Sequence, residues 1–391
     1  MGFAVATILM DAIGIGLIFP IMPDLLADLG ISNLSDAAIY GAALSMIYAI
    51  AQFFCLPVLG NLSDRFGRRP VLLAGIAALF IDYLVMGFAA SFALLLVARL
   101  IAGIAGATIS TATAYIADIS APEARAKNFG MVGATFGIGF ILGPALGGLL
   151  GAIDIRLPFF AAAGFAGLNF LFGMFFLPES LPVEKRRKFT WERANPFKAL
   201  RYIATVKALR RLVFVVFCLM LAGYVYPAVW SFYGKEKFGW DTTIIGFSLA
   251  GYGLGVVFVQ GVLIRWLLPQ FGERGTVRIG ISAIILAMIG ITFAIETWMI
   301  FAMIAMAALG EVAGPAINAM LSKRVADSEQ GGLQGSLGSL ESLAAIIAPP
   351  VFAGLFKLFT TEGWFYFPGA PFLLAALIVL LGLAVFLRMP R

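Results

Sequence analysis

Long apolar runs separated by short polar breaks fill this chain from end to end, and their lengths set its class. Twelve runs lie near residues 3–26, 37–59, 71–91, 93–117, 129–150, 157–177, 210–233, 243–267, 276–295, 297–321, 332–356 and 366–388. A helix of about 20 apolar residues crosses a bilayer, so each run predicts one transmembrane span. The extended polar stretch 179–209 divides them six and six. The expected architecture is an all-α membrane protein of twelve transmembrane helices in two pseudo-symmetric six-helix bundles. These cover residues 1–178 and 210–391, with 179–209 as a cytoplasmic linker. The linker carries Glu184-Lys-Arg-Arg-Lys188 and Trp191, and fits either an amphipathic segment on the membrane surface or a flexible tether. The first run has no small-residue cleavage site, which reads as a retained helix rather than a signal peptide.

The two halves repeat. Gly41 to Gly75 aligns without a gap on Gly246 to Gly280, matching Leu44 with Leu249, Phe53 with Phe258, Phe66-Gly67 with Phe271-Gly272 and Arg69 with Arg274. The same register pairs Gly130 with Gly335 and Pro144 with Pro349. Two bundles in the same orientation form a parallel repeat about an axis along the membrane normal, a common frame for alternating access.

Composition narrows the function. Hydrophobic residues make up 61% and charged residues 12%, about half the ~25% charge of a soluble domain. The net charge of +6 reads as cytoplasmic loop charge, not as a nucleic-acid surface. With the 60–70 loop inside, every Lys and Arg is cytoplasmic except Arg156, Lys235, Lys237, Lys357 and the in-span Arg99. The positive-inside rule then places both termini in the cytoplasm. There is no histidine, and Cys55 and Cys218 both fall inside apolar runs, so neither a metal site, a cofactor site nor a disulfide framework is indicated. A Gly-x4-Gly-Lys-[Ser/Thr] loop is also missing, which argues against an ATP-driven pump. The expected partners are protons, a small-molecule substrate and the lipid bilayer, with the chain working as a monomer.

Candidate chemistry lies where charge is costly. Asp11, Asp82, Glu311, Glu341 and Arg99 fall inside predicted spans. Each costs ~2.5–3.5 kcal/mol at a helix centre on insertion scales, so each should face the protein interior. Without histidine, proton coupling falls to carboxylates, and Asp11 and Glu341 lie near the midplane, where transporter sites sit. The competing account is a structural ion pair or a neutral buried acid; for Asp82, Tyr83 offers a local hydrogen bond. Arg99 requires a carboxylate or carbonyl partner. Tyr224, Tyr226, Trp230, Tyr252, Gln260 and Asn318, with Asp11 and Glu341, are candidate substrate contacts. An interfacial aromatic belt accounts for some of the rings equally well.

Two motifs carry a resemblance. The turn Gly60-Asn-Leu-Ser-Asp64-Arg65-Phe-Gly67-Arg68-Arg69 resembles the signature loop between the second and third helices of the major facilitator superfamily. In the fifth span Gly130, Gly139, Gly143, Pro144, Gly147 and Gly148 keep the spacing of the antiporter motif that marks that superfamily's drug/proton exporters, although ordinary small-residue packing also fits. Leu95-x3-Arg99-x3-Gly103 is similar to the motif whose buried arginine is linked to proton transfer. Asp11 to Pro23, Asp82-Tyr83, Ile116-Ala-Asp118 and Phe238-Gly-Trp240 resemble the tetracycline/proton antiporters of Gram-negative bacteria.

The resemblance implies export of a tetracycline-like or other amphipathic drug across the bacterial inner membrane in exchange for protons. The alternative is proton-coupled uptake or facilitated passage of a small organic anion or sugar. It also implies a conformational gate in which Asp118 pairs with Arg65 or Arg68, and Asp64 accepts from the amide end of a helix. The chain departs from that branch in its second half. Val256 stands near the place of the eighth-span histidine, and the ninth span carries no acid. Glu311 and Glu341 instead appear in the tenth and eleventh spans, which suggests a rerouted proton path.

Overall fold

A computed structural model of the chain describes residues 2–106, 108–120, 125–191, 195–197, 209–325, 330–361 and 365–389. Much of the predicted linker, 192–194 and 198–208, thus lies outside the described residues. Among those described, every regular element is a helix. Backbone amides and carbonyls in hydrocarbon have no water to bond, and a helix satisfies them within its own segment.

Spans two, three, five and six are single helices: α3 (Leu34–Phe66), α4 (Arg68–Phe88), α7 (Arg125–Ile153) and α8 (Leu157–Phe176). Asn33 starts α3 by accepting from the amides of Ser35 and Asp36. The first span is α1 (Gly2–Ile18) and α2 (Met22–Asp28), bent by 58°. The fourth divides at Gly106 into α5 (Phe92–Ala105) and α6 (Thr108–Ile119). The seventh divides at Tyr224 into α9 (Arg210–Gly223) and α10 (Val225–Phe238).

The eighth and ninth spans run together as α11 (Thr242–Phe258), a π-helical turn Val259–Leu263, and α12 (Ile264–Phe293). The tenth divides at Glu311 into α13 (Thr297–Gly310) and α14 (Ala313–Ser322). The last two are α15 (Gln330–Thr360) and α16 (Ala370–Leu387).

Among the described residues nine helices are long and apolar enough to cross a membrane, ten if the bent first pair is one span. The apolar stretch Thr242–Phe293 holds 52 residues, about 78 Å at 1.5 Å per residue. It is interrupted by Gly272, whose φ of 63° and ψ of 176° end one span and begin the next. The break in the fourth span leaves helices of 14 and 12 residues, each shorter than a bilayer crossing. Each of the twelve predicted runs thus carries helix.

The breaks follow the sequence repeat. Gly67 has φ 105° and ψ 161°, the same left-handed, extended combination as Gly272, its partner in the repeat register. In that register Gly106 falls on Glu311, the C-caps of α5 and α13, and Ile18 falls on Gly223, the last residues of α1 and α9.

The chain forms two compact units. One holds Met1–Gly30, Ile47–Pro196 and Asp241–Ala250; the other holds Ile31–Met46, Phe197–Trp240 and Gly251–Arg391. The start of α3 therefore belongs to the second unit and the start of α11 to the first. In the first unit Ile8, Leu72, Ala112, Tyr115, Ile116 and Leu177 form a buried apolar cluster. In the second, Val259, Leu267 and Val312 are packed by Leu263, Ile264, Ile279 and Leu309.

Candidate functional site

The interior of the first unit holds two carboxylates in different circumstances. Asp82 on α4 is fully buried and meets Arg99 of α5, with Asp82 Oδ2 2.5 Å from Arg99 Nη2. The same nitrogen lies 2.7 Å from Met86 Sδ. The arginine's charge is thus neutralised locally, four residues before the Gly103 that lets α5 approach the Tyr48 carbonyl of α3. Asp11 on α1 is 6% exposed, and its Oδ2 has no hydrogen-bond partner among the described residues. One turn along α1, Gly14 leaves room for the Tyr83 hydroxyl, which a Cβ there would approach to 2.2 Å.

The glycines of the fifth span do steric work. A Cβ on Gly139 would meet Ala12, one on Gly143 the Ile13 carbonyl at 2.7 Å, and one on Gly147 the Leu17 carbonyl at 2.3 Å. Gly16 of α1 answers Pro144 at 2.7 Å. These positions form one face of α7 and bring its backbone against that of α1. Gly148 points elsewhere, to the Thr242 carbonyl and Gly246 of α11, where the Thr242 hydroxyl also donates to the Gly148 carbonyl. The surroundings of Gly130 lie outside the described residues.

In the second unit Glu311 sits at the break of the tenth span. Tyr252 of α11 donates its hydroxyl to Glu311 Oε1 at 2.6 Å. Gly255 allows this approach, since a Cβ there would lie 2.6 Å from that of Ala308. Tyr226 stacks on Tyr252 with centroids 6.2 Å apart and planes at 22°. Trp230 and Phe372 back Tyr226 at 5.6 and 5.8 Å. Trp230 is 3% exposed, so it supports the tyrosines from within the core. Tyr224 marks the break in the seventh span and is half-buried. Gln260 is exposed in the π-helical turn, a helix form frequent at functional sites.

On α14, Gly314, Pro315 and Asn318 are exposed while Val312, Ala313, Ala316 and Ile317 are buried. Glu341 is exposed on α15, on a face shared with Gln334 and Gly338. Polar side chains such as Asn318, Gln334 and Glu341 on exposed faces of apolar helices suit an aqueous cavity better than lipid.

The Gly67 turn is the third cluster. Arg68 Nη1 lies 2.7 Å from Asp64 Oδ1, its Nε 3.0 Å from Asp118 Oδ2, and Nη1 also donates to Ser63 Oγ. Arg69 donates to the Met174 carbonyl, and the Arg65 guanidinium lies over the Phe66 ring. Gly60 accepts from Ser63 Oγ through its carbonyl. The carboxylate at the amide end of α4 is not Asp64 but Glu179, which accepts from the backbone N–H of Arg68 and Arg69. A side chain on Gly67 would strike that carboxylate at 2.2 Å.

The segment after Glu179 folds onto the turn. Ser180 donates to Asp118, the Arg187 amide to the Asp64 carbonyl, and the Asn61 amide to the Thr190 carbonyl. Asp64, Arg68, Asp118, Leu181 and Arg187 line a half-open cavity of about 450 Å3. Glu179 escapes sequence reasoning because 111 residues separate it from Arg68; its only signal is an acid placed just after an apolar run. Among the described residues no group of three His, Cys, Asp or Glu side chains is placed to hold a metal ion.

Bilayer-length helices, interrupted spans and charges held inside them define a polytopic membrane transporter. A family model described as Major Facilitator Superfamily matches residues 4–297 and 212–391, and the chain belongs to that superfamily. It is 42% identical to the tetracycline resistance protein, class C, of Escherichia coli over 90% of this chain and 88% of that one. It is 35% identical to the class B protein of Escherichia coli over 98% and 95%. The crystal structure of the human organic anion transporter TETRAN superposes with a TM-score of 0.74 at 25% identity, covering 98% of both chains.

Proposed function

We propose that this protein is a secondary active transporter of the bacterial inner membrane, exporting a small amphipathic molecule of the tetracycline kind in exchange for protons by alternating access. The single observation that carries the coupling is Asp11, buried in an apolar helix with a carboxylate oxygen unpartnered and no ion pair among the described residues. An acid so placed is costly when ionised and is relieved by taking a proton. Asp82 differs because Arg99 already balances it. The similarity to tetracycline resistance proteins supports the drug class and the direction of transport. On this reading both termini are cytoplasmic, the chain acts as a monomer, and the Gly67 turn with Asp118 serves as an inner gate.

A second reading, passage of an organic anion, is favoured by the likeness to TETRAN. Against it stands the interior charge, since the in-span Arg99 is already engaged by Asp82.

Everted membrane vesicles test the proposal. Drug accumulation should require an imposed proton gradient, and Asp11→Asn should abolish the gradient-driven component. Undiminished accumulation in Asp11→Asn, Glu311→Gln and Glu341→Gln alike would refute carboxylate coupling. Gradient-independent equilibration of an organic anion would favour the second reading.

A further inference from the structure

The second unit contains a carboxylate set against an aromatic wall, and this arrangement has a recognisable chemistry. Glu311 makes no ion pair among the described residues; its Oε1 accepts from Tyr252, while Oε2 carries no hydrogen bond among them. It lies at a helix break inside an apolar span, on the side of α14 that continues into exposed Gly314, Pro315 and Asn318. Beside it the rings of Tyr252 and Tyr226 stack, with centroids 6.2 Å apart and planes at 22°. Trp230 and Phe372 pack against Tyr226 and hold its ring. A half-buried anion with one neutral hydrogen bond is under-compensated at this depth. A cation satisfies both features together, with its charge against the carboxylate and its flat body on the electron-rich ring faces, as in cation–π recognition.

The geometry points to Glu311, Tyr252 and Tyr226 as the site that takes the positively charged group of a planar organic cargo. Tyr252 holds the carboxylate while the site is empty and yields it to the cargo, keeping its ring in contact. The inference rests on the transport reading for the cargo being carried, but the site itself is testable by binding alone. Two sources supply the same chemistry: a quaternary or protonated amine, and a divalent cation chelated by the drug.

The test measures equilibrium binding to the purified full-length protein in detergent. The probes are N-methylacridinium, a permanent planar cation, and acridine under alkaline conditions, where it is uncharged. Wild-type protein should prefer the cation. Glu311→Gln should erase that preference, weakening cation binding about tenfold or more, as for loss of a hydrogen bond to a charged group, while leaving acridine binding in place. Tyr226→Leu should weaken both probes severalfold through lost ring contact.

Tetracycline offered with magnesium and with a chelator separates the two sources: Glu311-dependent binding in the chelator identifies the amine, and binding only with metal identifies the chelate. The inference falls if Glu311→Gln binds N-methylacridinium as wild type does, or loses both acridines equally. Glu311-dependent cation binding without any proton-linked flux in vesicles would instead overturn the transport reading and leave this site standing.

Discussion

Asp11 and Asp82 are the same residue type at similar burial, yet neutralising them should have opposite consequences. Asp82 carries the charge that makes Arg99 tolerable inside the bundle. Asp82→Asn strands a guanidinium whose side chain is 13% exposed, and removing one partner of a buried pair costs about 3–5 kcal/mol. The variant should show a sharply lowered unfolding midpoint in detergent. The double variant Asp82→Leu/Arg99→Leu should recover most of it, because an apolar pair of similar volume is often neutral or better. Asp11 has no such partner among the described residues, so Asp11→Asn should leave the midpoint unchanged or raised while removing proton-driven transport. A large fall in the midpoint for Asp11→Asn would mean that its carboxylate is structural.

At the scale of elements, the fifth-span motif acts first through backbone contact. Its glycines at every fourth residue place α7 against α1, and the neighbouring Gly148 sets it against the start of α11. Gly147→Ala puts a methyl 2.3 Å from the Leu17 carbonyl. Both partners are backbone, so the two helices must separate, at a cost of about 1–3 kcal/mol for overpacking. Gly133 lies on the same helix with nothing within 4 Å of its added Cβ. Gly133→Ala should therefore change stability by less than about 0.5 kcal/mol. Thermal unfolding of both variants in the same detergent checks the contrast, and equal behaviour would show that the stripe does not hold these helices together. The small-residue account and the antiporter resemblance are thus compatible, since the motif residues join the Asp11 helix to α7.

The elements also show which parts of the molecule are readable from sequence. The twelve spans are legible because hydropathy is a local property and bilayer thickness sets the run length. The breaks in spans one, four, seven and ten are not, because Gly106, Tyr224 and Glu311 interrupt no apolar run. Arg99 announces by its cost that it needs a partner, but only the fold selects Asp82. That Asp118 meets Arg65 or Arg68 is readable from two motifs at the same end of their helices, and the fold selects Arg68. Glu179 is not, since its role as acceptor for α4 exists only once the sixth span returns beside the third.

Across the whole molecule the repeat predicts equal turns and the structure gives them unequal duties. Gly67 and Gly272 share a backbone conformation, and in the same register Arg68 falls on Glu273 and Asp118 on Lys323. The second pair also forms, Lys323 Nζ lying 2.5 Å from Glu273 Oε1, with the charges exchanged between the two positions. Duplication has kept the contact and inverted its polarity. The surroundings differ: Lys323 is 70% exposed and Glu273 26%, whereas Arg68 is 12% exposed and joins Asp64, Asp118 and Ser63 in one network. An exposed pair is worth about 0–1 kcal/mol, while hydrogen bonds to a charged group run to about 1.5–3 kcal/mol each. Lys323→Ala should therefore leave the unfolding midpoint and drug transport close to wild type. Arg68→Ala should lower both, with a stability loss of at least about 2 kcal/mol, because two carboxylates lose their counter-charge together. If Lys323→Ala proves as damaging as Arg68→Ala, the second turn carries a load that its exposure does not account for, and the two halves are functionally as well as structurally equivalent at this end.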